Sequence, residues 1–196
     1  MATLNENILT KLNIEIKEYS FSKAIYEGFI ESNKDEIVVI NIGTDRSTGD
    51  SYAPFIGSLI EDNPLSNIKV YGTLDKPIHA KNLNCSIEKI YQGHPNAFFL
   101  SIDAALGNEK SVGNIYLRNK PLIPGAALEK DLISVGDYSI IGIINTASNF
   151  DNFLKMQNTR LSKVRKLALR TLDELIALDE MINKSVNKTV SHKICS

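Results

Sequence analysis

Apolar positions along the chain fall into two alternating patterns. Residues 20–32, SFSKAIYEGFIES, carry Phe21, Ala24, Ile25, Tyr26 and Phe29 at helical spacing behind Ser20, a candidate cap. EIVVINI at 36–42 is β-branched and apolar throughout, as in a strand buried on both faces. SYAPFIGSLIEDN at 51–63 predicts a helix with Phe55, Ile56, Leu59 and Ile60 on one side. A second strand follows at 68–74, a helix at 79–94 and a third buried strand at 97–104. Residues 114–119 and 120–125 read as shorter strands or arms, and 138–145 as a fourth strong strand. From about 149 to 183 the chain is helical, with a break near Asn158–Thr159. Leu161, Val164, Ala168, Leu172, Leu175, Ile176 and Ile182 form the stripe of that helix.

This alternation predicts an α/β fold: a mostly parallel sheet with helices on both faces and right-handed connections. The expectation is one domain over 1–196, with its core at 20–183 and flexible ends at 1–19 and 184–196. Composition agrees with a globular chain. Of 196 residues, 43% are hydrophobic and 23% charged, which excludes a disordered tail, a fibre or a disulfide scaffold. The net charge of -1 argues against a general nucleic-acid or anionic-membrane binder. Cys85 and Cys195 form no CxxC pair and read as free thiols, with Cys85 in the core. No apolar run approaches the ~18 residues of a membrane span, and the N-terminus lacks a signal-peptide core. The expected setting is soluble and intracellular.

In a parallel sheet, sites form beyond the carboxyl ends of the strands. Four loops there carry candidate chemistry. The first holds Asp45, Arg46, Ser47, Thr48, Gly49 and Asp50; the second, Thr73, Asp75 and His79; the third, Asp103; the fourth, Asn145. Asp50 stands where a helix begins and suits either an N-cap or a catalytic acid. Asp103 closes an apolar strand, where a carboxylate is costly unless paired, hydrogen-bonded or solvated. It suits either a loop-ordering acceptor or one half of an acid pair. Two adjacent acids share a proton, so one deprotonates water while the other protonates the carbonyl or leaving group. Other patterns are weaker. Gly43-x5-Gly49 is followed by Asp50, not the Lys of a phosphate loop. Ser47 lacks the GxSxG frame of a hydrolase nucleophile. His79 reads as a loop residue or a site residue. His94 and His192 carry no partner signal, and Arg160 and Arg165 read as helix surface, with a site contact as the second reading for Arg160.

The segments INIGTDRSTGDSYAPFIGSLI, VYGTLDKPIHAKNL, SIDAALG, PGAALEKDLISVGDYSIIGIIN and QNTRLSKVRKLA together closely resemble the YyaC spore-protease family. The resemblance spans about residues 20–182. That family is similar to germination protease, which degrades small acid-soluble spore proteins, and to hydrogenase-maturation endopeptidases. It implies a three-layer α/β/α sandwich of the phosphorylase/hydrolase-like type. It also implies a spore endopeptidase of spore-forming Firmicutes, acting in the cytoplasm of the forespore or spore core. TGDSYAP matches a TPDALGP-like stretch and places one catalytic aspartate at Asp50; the IDA motif places the other at Asp103. Asp45, Arg46, Ser47, Thr48, His79 and Asn145 would bind substrate or shape the site. Tyr52 replaces a smaller residue and would narrow the site or touch substrate. No histidine lies between His94 and His192, so no nickel site, metal or other cofactor is expected. The partner would be a protein or peptide; a homo-oligomer is left open. One alternative is a non-catalytic sporulation protein that uses the same cleft for a protein partner. Another is a metal-dependent hydrolase using the two acids and His79.

Overall fold

The computed structural model describes residues 21–124, 133–148 and 151–194, the side chains of 186–194 excepted. Helix α1 (Phe21–Ser32) leads into β1 (Glu36–Asn41), α2 (Tyr52–Asp62) and β2 (Ile68–Tyr71). Then come α3 (Leu83–Gly93), β3 (Ala97–Gly107), a 3-10 turn at Glu109–Ser111 and β4 (Ile115–Arg118). The chain finishes with β5 (Tyr138–Thr146), α4 (Asn152–Gln157) and α5 (Leu161–Ile194).

The strands form one five-stranded sheet in the order β2-β1-β3-β5-β4. Every neighbouring pair is parallel except β4 with β5. Strand alternation divides the apolar side chains between two cores. Ile37, Val39, Leu100, Ile102, Ile140 and Ile144 join the core that also holds residues of α1, α2, α4 and α5. Val38, Ile40, Ala105, Ile141 and Ile143 face the other side, with Leu83, Ile87 and Ile90 of α3. The fold is therefore the expected α/β/α sandwich around a mostly parallel sheet.

Several expected boundaries moved. β2 stops at Tyr71 because Gly72 turns the chain at φ +81°. β3 runs three residues past Ala104 because β5 continues to pair with it as far as Gly107↔Thr146. The stretch after Lys120 is not a strand: Leu122 makes only an isolated bridge to Val135, and Gly125 lies outside the described residues. α5 continues to Ile194 instead of ending near 183, since no Gly or Pro interrupts that stretch. In its stripe, Leu161 (60% exposed) and Ile176 (39%) face solvent, whereas Leu167 and Leu178 are buried. Asp179 anchors this helix by accepting the backbone N–H groups of Ser66 (3.2 Å) and Asn67 (2.7 Å) just before β2. Cys85 is exposed, not core. His94 has two partners the sequence did not signal, Glu36 (2.7 Å) and Tyr71 (2.7 Å). The Ser20 cap, Cys195 and the side chain of His192 lie outside what is described.

Tyr52 also departs from expectation. It is fully buried, and its ring packs over Gly142, where a Cβ would come within 2.6 Å of it. Its hydroxyl meets Thr171 Oγ1 at 2.6 Å, while Thr171 donates to Leu167 O at 3.2 Å. Thr171 has one proton and uses it in the helix, so Tyr52 is the donor. Tyr52 therefore ties α2 to α5 and does not line a site. Tyr52→Phe is expected to lower unfolding free energy by about 1–2 kcal/mol, measured by urea denaturation, because one buried hydrogen bond is lost and the ring stays.

Candidate active site

The sheet order reverses direction at β1. The connection from β1 to β2 runs through α2, and the return from β2 to β3 runs through α3 on the opposite face. β1 and β3 therefore flank a switch point, the place beyond the strands' carboxyl ends where sites form in such sheets. Asp50 comes from the loop after β1, and Asp103 comes from β3.

Local chemistry holds Asp50 in place. Gly43 sits at φ +152°, and a Cβ there would collide with the carbonyl oxygen of Asp50. Only glycine lets the two ends of the loop approach this closely. Thr44 N–H donates to Asp50 O at 3.2 Å and closes the loop. Ser51 N–H then donates to Ser47 O (3.0 Å), and Ser51 Oγ to Thr48 O (2.7 Å), carrying the chain into α2. α4 braces the loop from outside: Gly49 N–H donates to Met156 O at 2.9 Å. A Cβ on Gly49 would press on Ile144 and on Met156 at 2.6 Å. Asp50 is not the helix cap. Ser51 occupies that position without a side-chain cap bond, so the Asp50 carboxylate is left for other work.

Asp103 lies within β3, not at its end. Its position is still terminal with respect to β1. The last β1–β3 pair is Asn41↔Ile102, so Asp103 is the first residue of β3 beyond that edge. On its other side it pairs with Ile141 of β5. Its Oδ1 accepts the N–H of Ala104 at 2.8 Å, and the carboxyl is half-buried. Burial pushes Asp103 up to about 8, and the charge of Asp50 adds to the rise. Burial raises Asp50 as well, while the Ser47 hydroxyl beside it works in the opposite direction. The two acids therefore lie within electrostatic reach, and the state that holds one proton between them is favoured.

The remaining candidates have different fates. Ser47 is brought beside Asp50 and is buried. Asp45 and Arg46 are exposed at the loop tip, and Thr48 is half-buried there. The Ile78–His79 segment lies alongside this loop through Gly43 N–H to Ile78 O at 2.8 Å. His79 itself serves its own turn: its amide donates to Asn82 Oδ1 (2.8 Å), and its Nδ1 accepts Lys81 N–H (3.3 Å). Asn145 braces α4 by donating to Lys155 O (3.0 Å) and Thr159 Oγ1 (3.2 Å). Arg160 and Arg165 are exposed. Among the described residues, no group of three or more His, Cys, Asp or Glu side chains is arranged to hold a metal ion. Sequence reasoning weighed Gly43 and Gly49 only as a phosphate-loop pattern, not as the frame of Asp50, and missed Met156 and Lys155. The two glycines flanking the loop were the available signal; Met156 and Lys155 carried none.

Residues 10–173 match the model of a family described as a protein of unknown function, DUF1256. The chain belongs to this family. The uncharacterized protein YyaC of Bacillus subtilis (strain 168) is 47% identical over 132 residues, 67% of this chain and 64% of that protein. The aligned part thus spans a little under two thirds of YyaC. Among solved structures, the [NiFe] hydrogenase maturation protease HycI from Thermococcus kodakarensis KOD1 superposes with a TM-score of 0.56 at 12% identity. That match covers 80% of this chain and 99% of HycI. The DUF1256 chain therefore shares its fold with that solved structure and has a Bacillus relative, as the sequence motifs implied. Among its described residues no helix is long and apolar enough to cross a membrane.

Two measurements probe this geometry. Folded Asp103 keeps its proton to about pH 8, whereas an unfolded aspartate releases it near ~4. The folded state thus binds more protons across that window, so raising the pH lowers stability, on the order of 1 kcal/mol per unit at most. Thermal melting of wild type is expected to fall from pH 5 to pH 8, and Asp103→Asn to flatten the slope. Gly43→Ala is expected to cost more than about 2 kcal/mol in chemical denaturation, because its Cβ meets backbone that cannot move aside.

Proposed function

We propose that this DUF1256 protein is an endopeptidase that hydrolyses peptide bonds with the Asp50–Asp103 pair. The observation that carries the reading is the electrostatic coupling of two acids at the switch point, one of them held protonated to about pH 8. One carboxylate removes a proton from water as the water oxygen attacks the peptide carbonyl, and the other carboxylic acid protonates the carbonyl oxygen. The tetrahedral intermediate collapses as the leaving nitrogen takes a proton, and the pair returns to its starting state.

The protease-like fold supports this reading. So does the sequence resemblance to germination protease, which points to small acid-soluble spore proteins as substrates and to the forespore or spore core as the setting. Asp45, Arg46, Thr48 and His79 line the loops around the pair and suit contact with an extended peptide.

The test incubates small acid-soluble spore proteins with wild type, Asp50→Asn and Asp103→Asn, and follows intact masses. Wild type is expected to release discrete fragments, unaffected by EDTA. Each folded variant is expected to be slower by at least about 100-fold. Undiminished cutting by either variant would remove that residue from the mechanism. Loss of cutting on chelation would favour a metal-dependent hydrolase.

A further inference from the structure

The Asp50 loop contains a hydroxyl with nothing to bond. Ser47 is only 6% exposed, and its buried Oγ has no hydrogen-bond partner among the described residues. The usual duties of a turn hydroxyl are taken by others. Ser51 Oγ donates to Thr48 O, and Thr44 Oγ1 accepts Arg46 N–H. A buried, unpartnered hydroxyl calls for an explanation at its site. Asp50 supplies one. The turn from Ser47 to Ser51, closed by Ser51 N–H to Ser47 O at 3.0 Å, sets Ser47 and Asp50 three residues apart on one turn, where side chains are neighbours. The hydroxyl favours the charged form of Asp50, although no bond between the two is formed. Among the described residues, Asp103 has no such donor, only the amide of the next residue in its own strand.

We propose that Ser47 is the positioning residue of the acid pair: its hydroxyl turns to donate to the Asp50 carboxylate, which makes Asp50 the base toward water and Asp103 the acid. The division of labour rests on the endopeptidase reading; the pairing of Ser47 with Asp50 does not.

Among the described residues, the charged side chains of the neighbouring loops are engaged elsewhere or exposed. Asp45 and Arg46, on the same loop, are exposed and make no ion pair among the described residues. In the neighbouring loop, Asp75 and Lys76 are exposed, Lys76 reaches Glu61, and the His79 ring accepts Lys81 N–H. Lys155 of α4 donates its Nζ to Thr146 Oγ1 at 2.8 Å. From the sheet, Asp103 is the acid coupled to Asp50.

In the reaction, the water proton goes to Asp50 as the new C–O bond forms, and the Asp103 proton goes to the carbonyl oxygen. On collapse, the C–N bond breaks and the nitrogen takes the proton from Asp50. Asp103 recovers its proton from a hydroxyl of the intermediate. The net change is one water consumed per peptide bond.

The test is a carbon-13 NMR titration of the full chain labelled at aspartate Cγ, with Asp50→Asn and Asp103→Asn assigning the two coupled transitions. In wild type the lower transition is expected to vanish in Asp50→Asn and the upper one in Asp103→Asn. Ser47→Ala is expected to raise the Asp50 transition by about one pH unit, while Ser47→Thr restores it. In active protein, the acid limb of the kcat/KM profile is expected to move up by the same amount in Ser47→Ala and not in Ser47→Thr. A lower transition that belongs to Asp103, or an Asp50 transition unmoved in Ser47→Ala, would overturn the proposal. If Ser47→Ala does not fold, Ser47→Cys, a weaker donor of similar size, is expected to raise the Asp50 transition part-way; no movement there would also overturn it. The titration needs no substrate. The same pattern in a protein that cuts nothing would support the Ser47–Asp50 pairing and sink the endopeptidase reading.

Discussion

Much of the site depends on where β1 stops. Its last pair with β3 is Asn41↔Ile102. Beyond it, Ile42 still donates its N–H to Ile102 O at 2.8 Å but bridges Ile78, so the β1–β3 ladder ends just before Asp103. Asp103 therefore pairs with Ile141 of β5 on one side and has no ladder partner in β1 on the other. The chain leaving β1 then turns at Gly43 and delivers Asp50 to the same region. The end of one ladder thus lies beside the first acid and leads into the loop that supplies the second.

Keeping two acids close requires a rigid frame, since their mutual repulsion favours separation. Three contacts provide it. Asp50 O lies over Gly43, Gly49 N–H is bonded to Met156, and Asn145 ties α4 to the end of β5. The loop is therefore held from the β1 side and from the α4 side. α4 has only six residues, too few to be stable alone, so its conformation depends on these contacts. The brace and the site order each other. Tyr52 extends the same frame, joining the helix after the Asp50 loop to α5.

Much of this was legible in the residues. Apolar runs such as EIVVINI and AFFLSIDA marked the buried strands, because a strand covered on both faces must be apolar at successive positions. The helical stripe after residue 160 was clear at Val164, Ala168 and Leu175. It misread Leu161 and Ile176, since a spacing pattern names a face without saying where that face ends. Asp50 and Asp103 were selected as a candidate pair by strand-end position and by motif resemblance. The supporting residues were not visible. Met156 is an ordinary helix residue until the fold brings its carbonyl to Gly49.

The sequence by itself determined the alternation of strands and helices and the family resemblance, and singled out the two candidate acids. Each is a local property, carried by runs of residue types and by short motifs. Only the tertiary structure decided which strand sits beside which, that β3 outruns β1 at Asp103, and that Tyr52 points into the core. It also decided that Ser47 is buried beside Asp50 with an unused proton. These features depend on contacts between segments far apart in the chain, where pairing and packing, not spacing, set the neighbours of each side chain.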